Sequence, residues 1–130
     1  MNIDKEAIIK YRLERANESI EEAKILAEAK HWNSVANRLY YACFYAVIGL
    51  LFQGGFRTKS HDGVRILLSN EFVKTGKLAN EFGKFYGELF NKRQESDYKD
   101  IKRFTEDEII PLIPKAENFI EINKALIKEN

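Results

Sequence analysis

Apolar side chains recur with a helical period in the first thirty residues, at intervals of three or four positions from Leu13 onward, and charged residues lie between them. The apolar positions are Ile8, Leu13, Ala16, Ile20, Ala23 and Ala27. This spacing is typical of an amphipathic helix, and we predict one over residues 4–29.

The next segment, residues 35–52, is apolar on nearly all sides, as expected of a helix that packs against several neighbours. We predict that residues 31–34 form a turn and cap before it. The uncharged stretch of fourteen residues from Leu39 to Phe52 is shorter than the roughly 20 that a membrane-spanning helix requires. We therefore interpret this segment as a buried central helix with no membrane contact.

Glycines and caps divide the rest of the chain. Gly54–Gly55 is a strong break, after which Ser60 can cap a third helix that runs to Lys74 and ends at Gly76. A fourth helix is predicted from the spacing of Leu78, Phe82, Phe85, Tyr86, Leu89 and Phe90. The apolar pattern of this helix ends in a charged stretch over residues 91–103.

Thr105 and Glu108 have the spacing of a capping box, which starts a last helical segment reaching Lys128. Two prolines, Pro111 and Pro114, either bend this segment or divide it into a short turn and a longer helix. No strand alternation or internal repeat is present. The prediction is an all-α fold, a single domain over residues 1–130 built as an up-and-down bundle of four to five helices.

Composition limits the function and the compartment. The chain has 21 Lys and Arg against 20 Asp and Glu, so a net charge of +1 gives no global attraction for nucleic acid, and any RNA contact must be local. A lone cysteine, Cys43, and the absence of a secretory pattern at the start favour a cytoplasmic protein. The nucleotide-binding glycine motifs, CxxC, HExxH and GxSxG are absent, and we expect no metal site rich in His or Cys and no cofactor.

Three polar segments interrupt these patterns. Asn37 and Arg38 lie in the central helix, where polar groups need partners, and Arg38 shares a face with Tyr41 and Tyr45. The guanidinium can therefore pack on a ring and bind an acidic partner, or it can belong to a structural network that reaches the surface.

The second segment is residues 93–98, where Arg93 takes the place of the next apolar residue of the fourth helix. Asp97 is four residues away and can form a surface ion pair with Arg93, which is the structural alternative to a functional site. The third segment is residues 57–61, which brings Arg57, Lys59 and His61 to a predicted helix N-terminus. Such a place can bind a phosphate, although basic loops are usually only solvated.

Taken together, these segments resemble the HEPN domain family, in particular its short stand-alone members. The resemblance spans about residues 5–126 and rests on four segments in order: 37–46, 59–61, 72–76 and 93–98. It implies a helical bundle that commonly dimerises and is often encoded with a minimal nucleotidyltransferase as a toxin–antitoxin or defence pair. It also implies that many members are metal-independent ribonucleases.

The catalytic motif of that family is an arginine, usually a polar residue next, and a histidine after four to six intervening positions. Arg93 and Gln94 match the first two, but Tyr98 stands where the first of the allowed histidines would be, and no histidine follows His61. RNA cleavage needs a proton acceptor near neutral pH, which tyrosine does not provide. The resemblance therefore supports the fold more strongly than the catalysis.

Three functions remain open at this point. In the first, the chain binds a nucleotide, RNA or a nucleotidyltransferase partner in a toxin–antitoxin or defence system, without catalysis because the motif histidine is absent. Alternatively it is a metal-independent ribonuclease with a composite dimer site, in which Arg93 stabilises the phosphate and Asp97, Tyr98 or a second subunit's His61 moves the proton. The third alternative is a purely structural partner-binding module. The residues that the first two functions use are Arg93, Asp97, Tyr98, Asn37, Arg38, Tyr41, Gln94, Arg57, Lys59 and His61.

Overall fold

The computed structural model describes residues 4–97 and 102–129. Helices α1 to α6 span Lys5–Glu28, Trp32–Gln53, His61–Leu68, Asn80–Ser96, Glu106–Ile109 and Leu112–Glu129. Helix α3 continues into one π-helical turn, Ser69–Val73. Five of the helices are eight residues or longer, and the described ranges contain no strand. The predicted all-α bundle is confirmed.

Helices α1 and α2 form an antiparallel pair joined by a very short turn. Asp4 caps α1 by accepting a hydrogen bond from the backbone N–H of Glu6, at 3.0 Å. The turn uses Lys30 in the left-handed region, with a φ of 64°. The N-cap residue of α2 is His31, as the predicted turn and cap allowed, but residues 32–34 already belong to α2, so the predicted turn over 32–34 was wrong. Lys30, a non-glycine residue with positive φ, reverses the chain before the polar residues over which the turn was predicted.

Asn33 has a different role from the predicted cap. Its Nδ2 donates to the backbone carbonyl of Lys102 at 2.9 Å, and its Oδ1 accepts from the backbone N–H of Phe104 at 2.8 Å. One side-chain amide therefore ties the start of α2 to the segment that precedes α5.

Helix α2 lies at the centre of the bundle and packs against α1, α3, α4, α5 and α6. It is the one helix, among the described residues, that is long and apolar enough to cross a membrane, but 78% of its apolar window is buried inside the protein. Its buried residues join those of the other helices in one continuous core. The prediction of a buried central helix is confirmed.

The remaining boundaries follow the predicted caps. Ser60 Oγ accepts from the backbone N–H of Gly63 at 3.1 Å and starts α3. Thr105 and Glu108 form the capping box of α5. Because α5 ends at Ile109 and α6 starts at Leu112, the prolines divide the last segment into a single turn and a long helix. Pro114 lies in the first turn of α6, where a missing N–H costs little.

Candidate functional site

Tyr40 of α2 is the centre of a polar and aromatic cluster. Its ring is fully buried, and its hydroxyl lies 2.7 Å from Nδ1 of His61. His61 is the first residue of α3, so the Ser60 cap fixes the backbone that carries the imidazole. The imidazole also contacts the rings of Tyr41 and Phe44, with centroids 5.8 and 5.0 Å away. Helix α3 thus positions a histidine against the central helix.

Arg93 of α4 contacts the ring of the same tyrosine. Its guanidinium carbon lies 5.1 Å from the centroid of the Tyr40 ring and 5.9 Å from that of Phe90. Only 15% of the Arg93 side chain is exposed, and its one ion pair among the described residues is a 3.7 Å contact with Asp97. Nε of Arg93 is buried without a hydrogen-bond partner. This cation is therefore incompletely satisfied.

A second arginine, which the sequence analysis did not select, completes the cluster. The guanidinium carbon of Arg65, on α3, lies 4.7 Å from the centroid of the Phe90 ring. Two arginines on different helices therefore share one aromatic ring. We call the set Tyr40, His61, Arg65, Phe90 and Arg93 the Arg93–His61 cluster.

The surroundings of His61 determine its protonation. Burial lowers the pKa of His61, the positive charge of Arg93 lowers it further, and Asp62 acts in the opposite direction. Burial also raises the pKa of Tyr40, so its phenol stays protonated. The imidazole is therefore neutral at neutral pH. When Nδ1–H donates to the Tyr40 oxygen, the remaining nitrogen, Nε2, is a proton acceptor.

Asn37 and Arg38 form a different arrangement. Nε and Nη2 of Arg38 donate to Oδ1 of Asn37 at 3.1 and 2.7 Å, and Nη1 pairs with Glu22 at 3.4 Å. The guanidinium carbon lies 5.1 Å from the centroid of the Tyr41 ring, as its spacing predicted. Asn37 and Arg38 line a cavity of about 360 Å³ together with Ser96 and Asp97.

The other predicted site residues are spread over the surface. Arg57 lies over the Phe52 ring at 5.2 Å, and Lys59 lines a cleft against α1, so these two cations and His61 face different groups. Gln94 is exposed, and its backbone carbonyl accepts from the Asp97 N–H at 3.2 Å. Tyr98 lies outside the described residues. Within the described ranges, no group of three or more His, Cys, Asp or Glu residues is placed to hold a metal ion.

A family model described as "HEPN domain" matches residues 9–126. The chain belongs to the HEPN domain family. A Thermotoga maritima protein named "UPF0332 protein" is 40% identical to this HEPN chain over 126 residues, 97% of this chain and 96% of the relative. Two Methanocaldococcus jannaschii proteins, each named "Putative toxin", are 33% and 31% identical; the matches cover 99% and 91% of this chain and 96% and 81% of the relatives.

In this HEPN chain, the histidine that stands near the motif arginine comes from α3 rather than from the residues after Arg93. From the sequence, His61 was expected either in a phosphate site over residues 57–61 or as a proton carrier from a second subunit. The structure brings it to the ring that Arg93 covers, within one chain. The two residues are far apart in sequence, and no periodicity connects them, because their proximity depends on how α3 and α4 both pack on α2.

Proposed function

We propose that this toxin-like HEPN protein binds RNA and that the Arg93–His61 cluster holds a phosphate of the RNA. The main support is that Arg93 is largely buried and has few hydrogen-bond acceptors around it in the described part of the chain. A largely buried cation needs good partners, and the long contact with Asp97, a residue whose side chain is 59% exposed, is a weak one. A phosphate beside the guanidinium would supply the missing acceptors, because arginine pairs with phosphate through two parallel hydrogen bonds.

RNA fits this cluster better than an isolated anion for two reasons. Arg65 supplies a second cation, 4.7 Å from the centroid of the Phe90 ring, which can pair with a second phosphate of the same strand. Aromatic rings and arginine planes are also the surfaces on which unpaired bases stack. A free nucleotide would use the same groups, and it is the competing ligand in the experiment below.

Cleavage of the bound RNA is the second candidate, and the 2.7 Å contact between Tyr40 and His61 favours it. In this reaction, Nε2 of His61 takes the proton of a ribose 2′-hydroxyl, and the 2′-oxygen attacks the adjacent phosphorus. The bond to the 5′-oxygen breaks, and a proton from solvent completes the leaving hydroxyl. The products are a 2′,3′-cyclic phosphate and a 5′-hydroxyl, and Arg93 stabilises the additional negative charge.

The remaining parts of the proposal rest on the family and on the names of the relatives. We propose a homodimer in the cytoplasm and a minimal nucleotidyltransferase as the protein partner in a toxin–antitoxin or defence pair. Sedimentation at several protein concentrations tests the dimer, and co-expression with a minimal nucleotidyltransferase tests the partner. A monomer at every concentration, or two proteins that purify separately, would contradict these parts alone.

Fluorescence anisotropy of a labelled single-stranded RNA tests the binding. We expect Arg93→Gln to weaken the affinity about tenfold or more, because a charge-assisted pair to phosphate is lost. Lys92→Gln is the matched control, since Lys92 is adjacent in α4 but lies over Phe104, and it should change the affinity less than about twofold. Equal losses in both variants would show general charge attraction instead.

Incubation of the same RNA in the presence of EDTA tests the cleavage. We expect wild-type protein to produce 2′,3′-cyclic ends and His61→Gln to produce none while still binding RNA. Intact RNA with concentrated wild-type protein would remove the cleavage candidate and leave the binding proposal in place. Competition with unlabelled ATP separates RNA from a free nucleotide: displacement at equal concentration would favour the nucleotide.

A further inference from the structure

A second cleft lies next to the Arg93–His61 cluster, between α1 and α2. Its volume is about 560 Å³. Its lining residues are Ala7, Ile8, Tyr11, Arg12, Phe44, Tyr45, Ile48 and Lys59. We call it the Tyr11 cleft. Neither the proposed phosphate contact nor the cleavage reaction uses it.

Tyr11 is the feature of this cleft that packing does not explain. The side chain is 60% exposed, although a tyrosine ring contributes most to stability when it is buried. Apolar groups from Ile8 and Ile48 line the same space, with two cations, Arg12 and Lys59, and no carboxylate among the lining residues. An apolar and aromatic surface bordered by positive charge alone suits a flat ring that carries a negative phosphate.

The cleft is continuous with the Arg93–His61 cluster through Phe44. The Phe44 ring lines the cleft, and its centroid lies 5.0 Å from that of His61 and 6.0 Å from that of Tyr45. The Tyr45 ring is in turn covered by Arg15, whose guanidinium carbon lies 5.1 Å from the centroid. A chain leaving the cluster therefore meets the Phe44 and Tyr45 rings and the cation Arg15, which is itself paired with Glu18 at 3.0 Å.

We propose that the Tyr11 cleft is a base-binding subsite for single-stranded RNA, in which one base stacks on Tyr11 and Lys59 contacts the adjoining phosphate. The subsite rests on the proposed function, since it holds a further base of the same strand, beyond the two nucleotides that flank the phosphate bound by Arg93. Arg12 keeps the floor of the cleft in place, because its Nη1 donates to the carbonyl of Ile48 at 3.0 Å and its guanidinium covers the Phe52 ring.

Binding of labelled oligouridylates of two, four and eight nucleotides tests the subsite. We expect Tyr11→Ala to weaken the eight-nucleotide RNA about fivefold or more, the loss typical of one stacked base, and to leave the dinucleotide unchanged. Tyr11→Phe should keep the affinity, because the stacking surface remains. Ile25→Ala, at another exposed apolar position of α1, is the control and should have no effect.

Salt dependence tests the role of Lys59. Lys59→Gln should reduce the slope of log Kd against log salt concentration by about one for the eight-nucleotide RNA. Lys10→Gln is the control, because it removes the same positive charge from a lysine that lines a different cavity. It should leave the slope unchanged.

The outcomes separate the two proposals. If Arg93→Gln loses affinity but Tyr11→Ala binds the eight-nucleotide RNA like wild type, the subsite is overturned and the proposed function stands. If wild-type protein binds none of the RNAs, both are overturned. If Tyr11→Ala leaves RNA binding intact but lowers the solution mass, the cleft is an interface between copies, which also overturns the subsite.

Discussion

Arg38 and Arg93 look alike along the chain and differ in the folded protein. Each interrupts an apolar helical stripe, and each guanidinium carbon lies 5.1 Å from the centroid of a tyrosine ring. Arg38 has three hydrogen bonds to Asn37 and Glu22. Arg93 is more deeply buried, yet within the described part of the chain it has one long ion pair, and its Nε has no hydrogen-bond partner.

The difference shows how to distinguish a structural arginine from a candidate ligand-binding one. An arginine whose donors are already paired within the chain stabilises the fold and has little left to offer a ligand. An arginine that is held by ring contacts but lacks acceptors is destabilising until an anion arrives. The number of unpaired donors, rather than position in the stripe, separates the two arginines.

Exchanging each arginine for glutamine is the strongest way to break this comparison. We expect Arg93→Gln to reduce RNA affinity about 10- to 100-fold and Arg38→Gln to change it less than about twofold. The free energy of unfolding should show the reverse ranking, with the larger loss in Arg38→Gln. Arg38→Gln should cost about 1 kcal/mol in urea unfolding, whereas Arg93→Gln should be neutral or stabilising. A similar affinity loss in both variants would contradict the distinction.

Asn33 extends the comparison to another polar residue with satisfied hydrogen bonds. Asn33→Ala removes two hydrogen bonds that hold residues 102–104 to α2, so we expect a loss of about 1–2 kcal/mol in unfolding free energy. Because both the oxygen and the nitrogen of the amide already bind the backbone of the chain, the RNA affinity measured below the unfolding transition should stay within about twofold. Asn70→Ala, at an exposed position, is the control and should change neither quantity.

The smallest expected effect is the contribution of His61 to the pH dependence of stability. The direction of this contribution follows from the lowered pKa of His61. Protonation is less favourable in the folded state than in the unfolded chain, whose histidine pKa is about 6.5. This contribution to stability is therefore complete above about pH 6.5 and is lost as the pH falls through the folded pKa. His61→Gln should flatten that acid-side loss when urea midpoints are measured against pH, and His31→Gln should not.

The part of the fold that could be predicted from the sequence is the part that depends on local patterns. The apolar stripes of α1, α2 and α4 and the caps at Ser60 and Thr105 appear in the chain itself, because each depends on neighbours within a few residues. The turn at Lys30 was missed because it depends on an unusual φ in a residue type that rarely adopts it.

The candidate site was predictable only in part. Arg93 stood out because it interrupts a stripe, but Arg65 resembles any solvated arginine on a short amphipathic helix. Its place over Phe90, like the contact of His61 with Tyr40, arises from the packing of α3 against α2 and α4. Contacts between helices of this kind leave no local pattern in the sequence.

The most direct test of the Arg93–His61 cluster is the imidazole NMR signal of His61 during titration with a short 2′-deoxy oligonucleotide, which cannot be cleaved. The chain has two histidines, so exposed His31 provides an internal reference. We predict that the His61 signal shifts in wild type and in Arg38→Gln, that it stays fixed in Arg93→Gln, and that His31 never moves. A His61 signal that does not shift on addition of the oligonucleotide to wild type, or that shifts equally in Arg93→Gln, would contradict phosphate binding at the Arg93–His61 cluster.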